Sequence, residues 1–393
     1  MTRTRNALVV SQVALAVILL AASGVMVRSF ARLSRVQPGF VPEGVLTFRI
    51  ALPAATYPTA GGAAVFVRDV VDRLGALPGV VAAAVNTRIP FGQSRGANGL
   101  AIEGRPATPG LPIVADQREV SPAYFRAMGM RLVEGRGFSA RDDARGEPVA
   151  VVNQTMARRF WPDRSPIDSR VRVAAGEEES GWLRIVGIVN DVRHVDLSRE
   201  PVPELYRPFA QMPLPNFTVA MRTAGDPVAF VPLARAAVGS LDRRLPLYDV
   251  RTMESRIADS VAKTRALALL LLVTAVLAAV LAAIAIYGSI WYSVTERIPE
   301  IGVRLALGAT RRSVCALVLG RALAMTALGG ALGVAASVMV APVLRGLLFE
   351  TPAADPPTYA VVLVALAFLT VAASLGPARR AMRVDPLIAL RSE

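Results

Sequence analysis

Residues Tyr287–Arg312 read YGSIWYSVTERIPEIGVRLALGATRR, a short segment rich in arginine and glutamate. One long apolar run ends at Tyr287 and another begins near Val314. Between them Ile298, Ile301, Val303, Leu305 and Leu307 supply an apolar face, and Gly308-Ala309 follow it. The spacing predicts an amphipathic helix over 294–312, ended by the glycine. Such a helix lies on a membrane face, joined to a span on each side. It is placed to pass a push from a soluble partner into the bilayer.

Working outward, the composition agrees with a membrane protein. Of 393 residues, 53% are hydrophobic, and the mean hydropathy is +0.45. Soluble domains of this length rarely reach that value. The net charge of +14 comes from 44 basic and 30 acidic residues, and Lys263 is the only lysine. The arginines scatter through the sequence with no basic-aromatic stripe, which argues against nucleic-acid binding. Cys315 is the single cysteine, so one chain cannot form a disulfide or a thiolate metal site.

Ala7–Val27 is an uncharged run of about 20 residues, enough to cross a hydrocarbon core. A cleaved signal peptide is the competing reading, because Ala21-Ala22-Ser23-Gly24 are small; the run continues past them, which favours a retained anchor. Further spans are expected at about 266–290, 314–340 and 359–375. The third carries Gly329 and Gly333, a Gly-x-x-x-Gly spacing that lets helices approach closely. Packing within the chain and dimerisation both account for it.

Within an expected extracytoplasmic stretch of 28–265, Gln37 to about Lys263 is a different material, with frequent proline and glycine, mixed charge and short apolar runs. This is a water-facing domain of about 225 residues, large enough for its own core. Strands are expected at Val45–Leu52, Val80–Val85, Leu100–Glu103, Pro148–Val152, Trp182–Val189, Phe217–Arg222 and Leu247–Val250. Helices are expected at Ala63–Leu77, Gln154–Phe160 and Pro227–Leu241. Two strand-helix-strand patterns flank a loop-rich middle. The expected architecture is one α+β domain with a β-rich subdomain inserted at about 90–181. Thr252–Arg265 reads as a stalk helix feeding the second span.

Arg297, Arg304, Arg311 and Arg312 lie in the loop between spans two and three, and Arg379, Arg380, Arg383 and Arg391 in the tail. The loop between spans three and four sets Arg345 against Glu350 and Asp355. The positive-inside rule then places residues 1–6, the C-terminus and the 291–313 loop in the cytoplasm, and the large domain outside. Arg28, Arg32 and Arg35 oppose this count and are outvoted.

Catalytic patterns are few. With Lys263 the only lysine, and no glycines spaced before it, no phosphate-binding Gly-x-x-x-x-Gly-Lys loop exists. Gly92-Gln93-Ser94-Arg95-Gly96 matches a nucleophile elbow, but both flanks read as loop, and His194 is the sole histidine available as a base. Asp191-Val-Arg-His-Val-Asp196 reads as a polar turn after a strand rather than a metal site. Within the spans Arg321 is the exceptional charge. Near absence of buried ionisable groups argues against an ion-coupled pump or channel.

Glu296-Arg-Ile-Pro-Glu-Ile-Gly-Val-Arg-Leu-Ala-Leu-Gly-Ala309 closely resembles the cytoplasmic signature of FtsX-like ABC permeases. Pro299 stands where that family usually has arginine. Ser121-Pro-Ala-Tyr-Phe125, Gly135-Arg-Gly-Phe138, Val151-Val-Asn-Gln154 and Val186-Gly-Ile-Val-Asn-Asp191 resemble its MacB-like extracytoplasmic domain. Asp355-Pro356, Pro377-Ala-Arg-Arg-Ala381 and Val384-Asp-Pro386 resemble the end of the last membrane unit. The chain is similar to one half of the duplicated permease group.

The resemblance implies four transmembrane α-helices, an N-terminal anchor plus a three-helix C-terminal unit, with an α+β extracytoplasmic domain of porter and sabre type. It implies a multi-pass protein of the bacterial inner membrane that is not itself an enzyme and holds no cofactor, ATP being bound by a separate ABC ATPase subunit. Two permease chains would pair, as a homodimer or as paired halves. A periplasmic adaptor or an outer-membrane channel is a further partner that the resemblance allows. The ATPase-coupling residues it assigns are Glu296, Arg297, Glu300, Ile301, Gly302, Arg304, Leu307, Gly308 and Ala309. The motion relayed would drive export or, alternatively, act on an outer-side partner as a regulatory or signalling scaffold.

Overall fold

A computed structural model describes residues 2–92, 96–106, 113–175, 178–179, 181–298, 300, 303–304, 310–344, 348–349, 351–352 and 355–381. Its contacts divide the chain into two units, Met1–Arg35 with Lys263–Glu393, and Val36–Ala262. Among the described residues the helices are α1 (Thr2–Leu33), α2 (Ala60–Gly75), α3 (Tyr124–Met128), α4 (Gln154–Phe160), α5 (Val231–Leu241), α6 (Met253–Glu296), α7 (Arg311–Leu344) and α8 (Pro356–Ala381). The strands are β1 (Val45–Ala51), β2 (Val80–Asn86), β3 (Ala97–Ile102), β4 (Ile113–Val120), β5 (Leu132–Gly135), β6 (Val149–Asn153), β7 (Arg170–Ala175), β8 (Glu178–Glu179), β9 (Leu183–Val189), β10 (Glu204–Pro208), β11 (Asn216–Thr223) and β12 (Tyr248–Thr252).

The Val36–Ala262 unit is built on one sheet with two cores. Strands β12, β1, β11 and β2 lie side by side, every neighbouring pair antiparallel. With α2 and α5 as crossovers this is the split strand-helix-strand arrangement. α2 shows why the sequence folds this way locally. Its apolar residues fall three and four apart, so Phe66, Val67, Val70 and Leu74 are all buried on the sheet. The Thr59 hydroxyl caps its start by accepting from the Gly62 N–H at 3.1 Å. Gly79, at φ +84°, turns the chain into β2. Burying those four side chains is worth on the order of 6–12 kcal/mol as an upper bound.

The second core gathers Ala150, Val152, Met156, Phe160, Ile185 and Leu205 from β6, α4, β9 and β10. This corrects the expected insert of 90–181, because β9 and β10 pair inside it and extend it to residue 208. Strand β9 reads LRIVGIV and lies between parallel β6 and antiparallel β7. A strand buried on both faces has no alternation to show which part of a sheet it joins.

In the other unit α1, α6, α7 and α8 are each long and apolar enough to cross a membrane. The expected stalk and second span are one helix, α6, of 44 residues. A Cβ added to Gly329 would lie 2.8 Å from Val13 Cβ, and one added to Gly333 2.6 Å from Val17 Cβ. Both glycines therefore face α1 of the same chain. The Thr326 and Thr370 hydroxyls meet at 2.9 Å between α7 and α8, the kind of side-chain bond that joins helices in lipid. Leu270, Val273, Leu277 and Ile284 on α6 are exposed, a face suited to hydrocarbon.

Candidate coupling segment and a buried polar cluster

Helix α6 closes at Glu296, and the Arg297 N–H bonds the Val294 carbonyl at 3.2 Å in the turn that follows. The backbone is helical again at Ile298, Glu300, Val303 and Arg304. Glu300 reaches Arg304 at 2.7 Å and Arg297 at 4.0 Å. Glutamate four residues before arginine is the favourable helical order. All three side chains are half-exposed, 45% for Glu300 and 49% and 51% for Arg297 and Arg304. This part of the segment presents a charged surface. At its far end the Thr310 hydroxyl accepts from the Ser313 N–H at 3.3 Å, capping α7. Ile301, Gly302, Leu307, Gly308 and Ala309 of the expected coupling set, and Pro299, lie outside the described residues. Gly329 and Gly333 face α1, as given above.

Ser94 also lies outside the described residues. His194, its only possible base, lies in the turn after β9, as expected. Its side chain is buried, and Nε2 lies 2.8 Å from Glu204 Oε1 and 2.9 Å from Oε2. A carboxylate only accepts, so Nε2 carries the proton. Nδ1 is buried without a hydrogen-bond partner among the described residues. Glu204 also accepts from the Tyr206 hydroxyl at 2.6 Å and lies 3.4 Å from Arg118, whose other arm bonds the Arg88 carbonyl at 2.7 Å. Arg118 is 1% exposed and Glu204 fully buried. Burial, and then the Arg118 charge, hold the imidazole below its ordinary pKa, so it is neutral. For Glu204 burial pushes upward, but His194 and Arg118 outweigh it and hold the carboxyl below its usual range. Among the described residues no group of His, Cys, Asp or Glu could hold a metal ion.

Sequence reasoning missed this cluster because it sits on β4 and β10. β4 reads IVADQREV, and its four consecutive polar residues Asp116–Glu119 are all buried. Such a run signals a loop, and only the strands on either side explain it.

The outer motifs act as backbone ties. Asn153 accepts from the Met156 N–H at 2.9 Å to cap α4, and from the Glu204 N–H at 3.0 Å. Asn190 accepts from the Arg131 N–H at 2.6 Å and donates to the Gly39 carbonyl at 2.5 Å. Asp191 accepts from the Thr155 N–H and pairs with Arg158, each at 2.7 Å. A Cβ on Gly135 or Gly187 would overlap the strand or loop backbone beside it. These residues join β5, β6, α4, β9 and β10 to one another.

Residues 7–263 match the family model described as MacB-like periplasmic core domain, and residues 272–386 match FtsX-like permease C-terminal. Over 301 residues the chain is 31% identical to the macrolide export ATP-binding/permease protein MacB of Azoarcus sp. (strain BH72), covering 71% of this chain and 43% of that protein. It is 27% identical over 299 residues to the MacB protein of Escherichia coli (strain K12), covering 72% of this chain and 44% of that one. The chain thus spans less than half the length of these relatives. The crystal structure of the periplasmic region of MacB from Actinobacillus actinomycetemcomitans aligns with 57% of this chain and 95% of its own, at 12% identity and a TM-score of 0.38. The chain belongs to the FtsX-like ABC permeases that carry a MacB-like periplasmic core domain.

Proposed function

We propose that this chain is the permease subunit of an ABC complex in the bacterial inner membrane. A separate ATPase docks on the Glu296–Ala309 segment. Its ATP-driven motion passes through α1 and α6 to the outer domain, which extrudes a substrate on the far side of the membrane. Both termini and the 291–313 loop face the ATPase. A second permease chain completes the assembly.

The observation that carries this reading is the pair of family matches, which together run from residue 7 to residue 386. Two features support it. Helix α6 is continuous from β12 to the charged segment, and 44 residues rise roughly 66 Å, about twice a hydrocarbon core. The Glu300–Arg304 surface is charged and half-exposed, as a protein-docking site at a membrane face requires.

The test is a mild-detergent pull-down of the tagged chain from its native membrane, with mass spectrometry of what elutes. An ABC ATPase is the expected companion. An adaptor or channel alongside it supports extrusion, and an outer-side enzyme supports regulation instead. Its absence, where a known ABC complex survives the same extraction, would overturn the assignment.

A further inference from the structure

At the Glu296 end of the membrane unit, α1, α6 and α7 leave a small cleft that opens to the surface. Asn6, Ser289, Ser293, Arg297, Glu300 and Arg321 form its polar lining, and the rest of its wall is aliphatic.

Arg321 sets the chemistry. It stands ten residues into α7, roughly 15 Å along the axis, in an otherwise uncharged run from Val314 to Leu344. Its hydrogen-bond partner among the described residues is the Ser293 hydroxyl, a neutral group at 3.4 Å. Five N–H donors and a full charge are poorly served by one hydroxyl. Glu300 does not serve as counter-ion to Arg321, because its carboxylate is held by Arg304 at 2.7 Å. Among the described residues the cations paired with Glu300 are Arg297 and Arg304.

The cleft also sits at headgroup depth. Trp291 and Tyr292 lie on α6 beside Ser293, with Arg380 over one ring and Arg5 over the other, each at 4.3 Å. Aromatic rings of this kind mark the membrane–water boundary. A planar guanidinium fork matches phosphate oxygens in pairs. An aliphatic wall beside it suits an acyl chain.

We propose that this cleft binds the phosphate of one anionic phospholipid, with Arg321 as its principal partner and Arg297 as the second. Ser293 holds the Arg321 guanidinium in position. The lipid supplies the counter-charge that Arg321 does not find among the described residues.

The experiment is native mass spectrometry of the delipidated full chain in detergent, titrated separately with phosphatidylglycerol, phosphatidylcholine and inorganic phosphate. One phosphatidylglycerol per chain is expected, retained at least tenfold better than phosphatidylcholine. Arg321→Gln should abolish that preference, Arg321→Lys should keep part of it, and Arg297→Gln should weaken it several-fold. Arg35→Gln, at the opposite end of α1, should leave it unchanged. If Arg321→Gln does not fold, the half-exposed Arg297 carries the test alone. Equal retention of both lipids, or a preference untouched by the cleft variants, would overturn the proposal. Millimolar inorganic phosphate displacing the lipid would overturn the lipid assignment and leave a small-anion site.

Discussion

Arg28 Nη1 lies 2.5 Å from Asp355 Oδ2, 327 residues further along the chain. The pair joins the Leu33 end of α1 to the start of α8. Thr358 donates to the same carboxylate at 2.5 Å, and the Ser29 hydroxyl accepts from the Phe349 N–H at 2.8 Å. The Thr358 bond first, and the Arg28 charge after it, hold the Asp355 carboxyl below its ordinary range.

A double-mutant cycle tests the pair. Arg28→Gln and Asp355→Asn should each lower the thermal midpoint of the solubilised chain. The double variant should lose less than the sum, by about 0.5–1 kcal/mol. Arg28 is 42% exposed, so solvent screening keeps the coupling small. Strict additivity would mean the two residues touch without contributing to stability.

Gly333→Ala should destabilise the membrane unit. Its new methyl would lie 2.6 Å from Val17 Cβ and 2.7 Å from the Ala14 carbonyl, so α1 itself must move. Overpacking of this kind costs about 1–3 kcal/mol. Gly329→Ala meets Val13 and the Val10 carbonyl and should behave alike. Gly320, in the same helix, has nothing within 4 Å of its added Cβ. Gly320→Ala should be neutral or stabilising by up to about 1 kcal/mol. Melting curves that rank the three otherwise would place the α1–α7 seam elsewhere.

These contacts mark what a sequence can and cannot reveal. The spans were legible because a bilayer imposes length and apolarity on each helix separately. Helix α4 was legible near Gln154–Phe160, and the structure adds that Asn153 caps it. The strand-helix-strand flanks were legible from the spacing of Val67, Val70 and Leu74. Strands β4 and β10 were not, because their polar residues are buried by each other, and such pairing is a property of two distant segments. The same limit hid the partner of Arg28 and the face of α7 that Gly329 and Gly333 occupy. The whole coupling set, from Glu296 to Ala309, stood on a motif rather than on physics.

Acid should loosen the outer domain in two stages. His194 is held neutral in the fold, while an unfolded histidine titrates near about 6.5. The folded state therefore binds fewer protons, and the stability this gives is present above about pH 6.5 and lost as pH falls below it. Glu204, also depressed, adds a further loss below about pH 4.3. Denaturation followed by the fluorescence of Trp161, in the second core, reads both. His194→Gln should flatten the upper stage and shrink the lower, because His194 helps to depress Glu204. An unchanged profile between pH 7 and 5 would remove His194 from the account.

Arg118→Met should be among the most damaging substitutions in the outer unit. It leaves Glu204 buried without its cation, which typically destabilises by about 3–5 kcal/mol. Adding Glu204→Gln should recover part of the loss, because the Glu204 charge is then gone while the buried Asp116, 3.7 Å from Arg118, remains. Equilibrium unfolding of the two variants separates a charge effect from simple loss of packing, because packing loss would be deepened by the second change rather than relieved.

Glu300→Lys tests the coupling surface itself. Glu300 stands between Arg297 and Arg304, so the substitution puts three cations side by side where one carboxylate had joined two. Glu300 is half-exposed, so the spans should still insert and the outer domain should still fold. Recovery of the ATPase with the tagged chain should fall by at least tenfold, and membrane yield should stay within a factor of two. Glu300→Gln, which removes the ion pairs without inverting the charge, should fall between wild type and Glu300→Lys. If Glu300→Lys recruits its ATPase as well as wild type does, the docking surface lies elsewhere on the cytoplasmic face, and the family signature at 296–309 would have to be read as a structural turn between α6 and α7.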